Sequence, residues 1–183
     1  MSLRCAILTA LVERPSTGRE LTRRFDSSIG YFWHATHQQI YRELGNMADD
    51  GLIQPHASQL KGRGAPRCYE ITETGEEHLR TWVHSGQEPV TVKDPLLVRL
   101  RAAAVLGGID MREQVQQHLD YHRSLLETYR SIEERDFSRL PGTQRERVQY
   151  LILRAGIDTE LSWANWCAKA LEQLGTEQTR RHP

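Results

Sequence analysis

A chain of 183 residues has room for one ordinary domain with a helical appendage, or for two small ones. Its 24 basic and 24 acidic residues cancel, which excludes a protein that coats nucleic acid by bulk charge but not one whose cations are gathered locally. No apolar run approaches the about 20 residues of a membrane span, so no membrane partner is expected. The isolated cysteines Cys5, Cys68 and Cys167 exclude a disulfide framework and point to the cytoplasm.

The charge is uneven along the chain: Arg19, Arg23, Arg24, Arg42, Lys61, Arg63 and Arg67 all lie in or just beyond the first third, and acids such as Glu133, Glu134 and Asp136 come later. Leu3, Ile7, Leu8 and Leu11 form one helical stripe, so Leu3 to Glu13 reads as an amphipathic helix. Glu13 and Arg14 close this apolar stretch and no small-residue cleavage site follows, so a signal peptide is not expected. After Pro15, Ser16 or Thr17 caps a second helix to about Phe25, with Glu20 placed for a capping box, Leu21 and Phe25 inside and Arg19, Arg23 and Arg24 outside. A turn at Ser27, Ser28 and Gly30 and an aromatic cluster, Tyr31, Phe32 and Trp33, precede a third helix from about Thr36 to Asp50, stopped at Gly51.

The period then changes. Leu52 to Gln54 reads as a short strand, His56 to Ala65 as a basic, glycine-containing loop, and Arg67 to Thr72 as a half-exposed second strand. Three helices followed by such a hairpin make a winged helix-turn-helix. Thr72 or Thr74 opens a fourth helix, and Ser85 to Val92 is the linker. Beyond it all is helical. One helix runs from Asp94-Pro95 to Leu106, closed by Gly107 and Gly108. A second is capped by Asp110 and reaches about Asp136, with Val115, Leu119, His122, Leu126, Tyr129 and Ile132 inside. After a turn at Pro141 and Gly142, a third is capped by Thr143 and reaches about Leu174, with Val148, Leu151, Ile152, Ala155, Leu161, Trp166, Ala170 and Leu174 as its apolar stripe. Residues from Thr176 onward read as a disordered tail. The expected class is mainly α with a small β-hairpin: a winged helix over 1–86 and a helical dimerisation region over 93–176. Two long helices joined by a tight turn cannot bury their stripes alone, and a second copy is the natural partner.

In the third helix, Ile40, Leu44 and Met47 fall at i, i+4, i+7 and must pack inward. The opposite face holds Ala35, Gln38 and Arg42, with Gln39 and Asn46 to one side and Tyr41 to the other. Glutamine bonds adenine and arginine bonds guanine through paired contacts in the major groove, which makes Gln38, Gln39 and Arg42 the candidates for reading bases. Thr36, Tyr41, Arg23 and Arg24 are candidates for the surrounding phosphates. Lys61, Arg63 and Arg67, with Gly62 and Gly64 between them, are the wing candidates. A plain solvated face would be filled by the same residue types, and a winged helix that binds only protein is the alternative reading.

His118 and His122 have the spacing of a two-histidine metal site, but no carboxylate or cysteine at a matching offset completes it, so no metal is expected. Trp33, Trp82, Trp163 and Trp166 read as core or interface anchors. Trp163 and Trp166 lie on the dimerising helix, where a small aromatic or hydrophobic effector has room between subunits. There is no glycine-rich phosphate loop, no G-x-S-x-G elbow and no metal triad, so neither catalytic residues nor a cofactor is expected.

The residues Phe32 to Ile53 (FWHATHQQIYRELGNMADDGLI) and Gly64 to Leu79 (GAPRCYEITETGEEHL) resemble the PadR family of transcriptional regulators. The matching pieces are Ile40-Tyr41-Arg42-Glu43-Leu44, Gly51-Leu52-Ile53 and Tyr69 to Gly75, with Thr17 to Phe25 similar to the helix before the recognition helix. In layout, the remaining hundred or so residues are similar to the family's larger subgroup, the one like virulence-gene activators. The resemblance implies a homodimer on a pseudo-palindromic double-stranded DNA operator, usually repressing, with some members answering to phenolic or hydrophobic small molecules.

Overall fold

In the computed structural model, which describes residues 3–27, 35–56, 66–89, 93–139 and 142–176, the chain divides into two units, 1–89 and 90–183. The first contains α1 (Leu3–Glu13), β1 (Ser16–Thr17), α2 (Gly18–Ser27), α3 (His37–Asp49), β2 (Ile53–Pro55), β3 (Cys68–Ile71) and α4 (Glu73–His84). Its core is where the apolar stripes meet: Ile7, Leu8 and Leu11 of α1, Leu21 and Phe25 of α2, Ile40, Leu44 and Met47 of α3, and Leu52 and Ile53 at the entry to β2. The expected aromatic cluster at Tyr31, Phe32 and Trp33 lies outside the described residues. So do Lys61 to Gly64 of the wing, Val90 to Val92 of the linker, Pro141 and the tail beyond Thr176.

The sheet has three strands, in the order β1-β3-β2, where the sequence predicts a two-stranded hairpin. Both pairings are antiparallel, with Thr17 opposite Cys68 and Gln54 opposite Glu70. The extra strand is two residues long, too short to show any period, and its Ser-Thr reads as a helix cap. Thr17 serves both ends. Its Oγ1 accepts the Glu20 N–H at 3.2 Å, and Glu20 Oε2 accepts the Thr17 N–H at 2.7 Å. That backbone N–H first, and the Thr17 hydroxyl second, hold the Glu20 carboxyl below its ordinary pKa.

Thr72 caps α4. Its Oγ1 accepts the Gly75 N–H at 3.1 Å and donates to the Gly51 carbonyl at 2.7 Å, while its own N–H donates to Leu52 O at 3.0 Å. The exit of α3 and the entry of α4 are thereby laced together. Gly75 is buried at this junction, with its α-carbon against the Leu52 carbonyl.

The second unit holds α5 (Pro95–Leu106), α6 (Arg112–Asp136) and α7 (Gln144–Thr176). Asp94 caps α5, its Oδ1 accepting the Leu96 N–H at 2.7 Å. The cap predicted at Asp110 is displaced by one residue. Met111 is the N-cap, making no side-chain cap bond, because its apolar side chain is drawn into a cluster with Leu96, Val115, Leu119 and Cys167. Asp110 still accepts the Arg112 N–H at 3.0 Å, and the Arg112 guanidinium holds its carboxyl down to about 2.

Helices α6 and α7 run antiparallel, as their facing pairs show: His122 with Glu160, Gly156 with the Tyr129 ring, and Glu133 with Tyr150 and Arg154. The inner stripe of α6 is as expected. That of α7 is corrected: Leu153, Ile157, Ala164 and Cys167 are buried, whereas Val148, Leu151, Ile152, Leu161 and Trp166 are exposed in the single chain. Positions 153, 157, 160, 164, 167, 171 and 174 advance in alternating steps of four and three, the spacing of a coiled-coil seam. The stripe predicted from sequence is largely a second apolar face of the same helix. Among the described residues, no helix is long and apolar enough to cross a membrane.

Candidate nucleic-acid interface

Recognition of a base edge requires a helix held firmly by its back and left open at its front. α3 meets both conditions: Ile40, Leu44 and Met47 are fully buried, while Thr36, His37, Gln38, Gln39, Tyr41 and Arg42 are exposed. Gln38 and Arg42 are four apart and share one face. Tyr41, on the adjacent face, leans over the start of α2: a Cβ at Gly18 would overlap its ring, with the Tyr41 Cζ at 3.0 Å. The absent side chain at Gly18 lets the two helices approach closely, and Tyr41 remains 54% exposed.

Thr36 and Gln39 form a reciprocal capping box. The Gln39 N–H donates to Thr36 Oγ1 at 3.2 Å, and Gln39 Oε1 accepts the Thr36 N–H at 2.8 Å. Both residues therefore hold the start of α3, and the acceptor oxygen that Gln39 needs for a paired contact with adenine is already engaged. Thr36→Ala should cost about 1 kcal/mol of stability. Chemical denaturation of the variant checks this, and a loss below about 0.3 kcal/mol would mean the cap contributes nothing.

The basic residues of α2 divide. Arg23 is exposed. Arg24 turns inward: Nη1 donates to Ala10 O at 2.6 Å and to Ser16 Oγ at 3.3 Å, and Nη2 pairs with Glu13. Arg24 fastens the end of α1 to α2, and its side chain is only 13% exposed. In the wing, Arg67 is exposed just before β3, and Lys61 and Arg63 lie outside the described residues. At the base of the wing, Glu70 accepts a hydrogen bond from Gln54 Nε2 at 3.0 Å and has His56 Nε2 at 3.5 Å.

A cation on the flank of α3 escaped the sequence reading. Arg4 of α1 donates from Nε to Glu43 Oε1 at 2.7 Å and pairs through Nη1 with Asp50 Oδ2 at 2.8 Å. The available signal was the pair of acids seven apart, two turns along one helix face.

In the second unit, the rings of His118 and His122 lie 6.2 Å apart between centroids. Among the described residues no group of three or more His, Cys, Asp or Glu is placed to hold a metal ion. The His122 ring is buried, with Nδ1 2.6 Å from Glu160 Oε2, and it stacks on Trp163 at 5.4 Å between centroids. Trp166 meets Trp163 edge-on at 5.5 Å and is 36% exposed. Glu160 was also missed, although a charged residue on the seam of a coiled coil is a sign of a polar partner opposite.

Three helices closed by a small antiparallel sheet, with one polar helix face turned outward, define a winged helix-turn-helix module, here followed by a separate helical unit. The model of the Transcriptional regulator PadR-like family matches residues 7–81, and that of the Virulence activator alpha C-term region matches residues 92–175. The probable transcriptional regulator Rv1176c of Mycobacterium tuberculosis is 37% identical, over 95% of this chain and 98% of that one. The virulence activator AphA of Vibrio cholerae shares 31% identity at a TM-score of 0.82, over 96% of this chain and 99% of that one. Bacillus subtilis PadR has been solved with operator DNA and with p-coumaric acid. It has the same fold at 24% identity, with TM-scores of 0.77 and 0.75 over 95% and 94% of this chain and 99% and 98% of those. The chain belongs to the PadR-like family of transcriptional regulators.

Proposed function

We propose that this regulator is a sequence-specific DNA-binding repressor, working in the cytoplasm as a homodimer on a pseudo-palindromic operator. The observation that carries the reading is the front of α3, where Gln38 and Arg42 stand exposed on a helix whose back is fully buried. Arg23 and Arg67, with Tyr41 and Thr36, supply the phosphate contacts around it, and from the sequence Lys61 and Arg63 join them as phosphate candidates. The dimer is supported by the outer face of α7, where Val148, Leu151 and Ile152 are 48%, 66% and 44% exposed. Such a contiguous apolar strip on a helical hairpin is commonly covered by a second subunit. Trp163 and Trp166 are the site proposed for a small aromatic or hydrophobic effector, in line with a relative solved with p-coumaric acid.

The test is a mobility-shift titration over a salt series, using DNA from upstream of the protein's own gene against random duplex, with sedimentation of the complex. Preferential binding at two protomers per duplex is expected. Arg67→Ala should shallow the slope of log K against log salt by about 0.9 per lost phosphate contact, hence by about 1.8 in a two-fold complex, with little change in sequence preference. Equal affinity for the two DNAs, or none, would favour a winged helix that binds protein.

A further inference from the structure

We propose that Arg4 is the positioning residue of the recognition helix: one guanidinium, bonded to Glu43 and Asp50, sets the rotation at which α3 presents Gln38 and Arg42. The inference rests on the DNA-binding reading above.

Glu43 and Asp50 are seven residues apart, two helical turns, so they line one face of α3 about 100° around from the face carrying Arg42. The buried stripe of Ile40, Leu44 and Met47 holds α3 against the core, and a directional contact at the helix flank adds a further constraint on its rotation. A charge-assisted hydrogen bond does not slide: Nε sits 2.7 Å from Glu43 and Nη1 2.8 Å from Asp50. The tolerance at the front is small. A side-chain tip about 6 Å from the helix axis moves about 1 Å for a rotation of about 10°, twice the usual spread of hydrogen-bond lengths. Asn46 Nδ2 lies 3.5 Å from Glu43 Oε2, so the bonded carboxylate is held from its own helix as well. The Glu43 bond is also the main reason that the Arg4 pKa is raised.

Arginine suits this work because its planar fork fixes donors in two directions, whereas lysine's three donors radiate from one nitrogen on a flexible stem and fix no such geometry. That difference separates positioning from simple electrostatics. If Arg4 only offset acidic charge near the DNA, lysine would replace it fully.

The experiment measures affinity for operator and for random duplex with wild type, Arg4→Lys and Arg4→Met, alongside hydrogen exchange of the α3 amides in the DNA-free proteins. Exposed ion pairs are individually weak, so the expected effect is moderate. The ratio of operator to random affinity should fall about fivefold in Arg4→Met and about threefold in Arg4→Lys, with random-duplex affinity within twofold of wild type. Exchange over residues 43–50 should quicken in both variants while α2 stays unchanged. A lysine variant with the wild-type ratio, or equal losses on both DNAs, overturns the proposal. Unaltered exchange in α3 overturns the clamp itself. A wild type that binds no duplex preferentially overturns the DNA-binding reading, and the assignment of Arg4 with it.

Discussion

Gly75→Ala is expected to lower the thermal midpoint of the first unit by more than about 10 °C. A Cβ at this position collides with the Leu52 carbonyl oxygen and lies 2.7 Å from Ile71 Cγ1. The carbonyl is backbone and cannot rotate away, since Leu52 O already accepts the Thr72 N–H at 3.0 Å. Relief requires α4 to shift outward, which also breaks the Thr72 cap. Overpacking of this kind costs about 1–3 kcal/mol, and the lost cap about 1 more. In a domain of this size each kcal/mol shifts the midpoint by about 4–8 °C. Gly45→Ala is the control: a Cβ there meets nothing within 4 Å, and an alanine inside a helix should stabilise by up to about 1 kcal/mol. Circular-dichroism melts of the two variants decide the matter, and equal midpoints would show that the α3–α4 junction yields to the added methyl.

Arg42→Ala should weaken operator binding by about 1–3 kcal/mol per half-site, roughly 5- to 150-fold, and random-duplex binding far less. The exposed guanidinium stands one turn past Gln38 on the face opposite Ile40 and Leu44, so truncation leaves the core and the Thr36–Gln39 cap untouched. The expected readout is a specificity ratio that collapses while the melting point holds. Gln38→Ala should act in the same sense at a neighbouring base. Equal losses on operator and random DNA would place Arg42 on phosphate, where it carries no base information.

Much of this was legible in the residues. The inward stripes of α1 and α3 follow from helical period, and the Thr17–Glu20 box from local spacing, because both are decided within a few residues of chain. What was lost depends on distant partners. Ser16-Thr17 becomes a strand only because Tyr69 and Cys68 lie beside it. Arg24 and Arg23 look alike in sequence, and which one turns inward is settled by the Ala10 carbonyl and Glu13. α7 carries apolar residues around much of its circumference, so periodicity alone did not distinguish the side facing α6 from the side facing outward. The polar partners, Arg4 with Glu43 and Asp50 and His122 with Glu160, join positions 38 or more residues apart, beyond any local pattern.

The capping box has a consequence for how binding preference can change. A substitution at position 39 alters the start of α3 as well as its outer surface, so drift there is penalised by the fold whatever DNA it would favour. Positions 38 and 42 carry no such double duty. On the proposed reading, new operator preferences are therefore gained through those two positions, with position 39 following only when another residue takes over the Thr36 N–H.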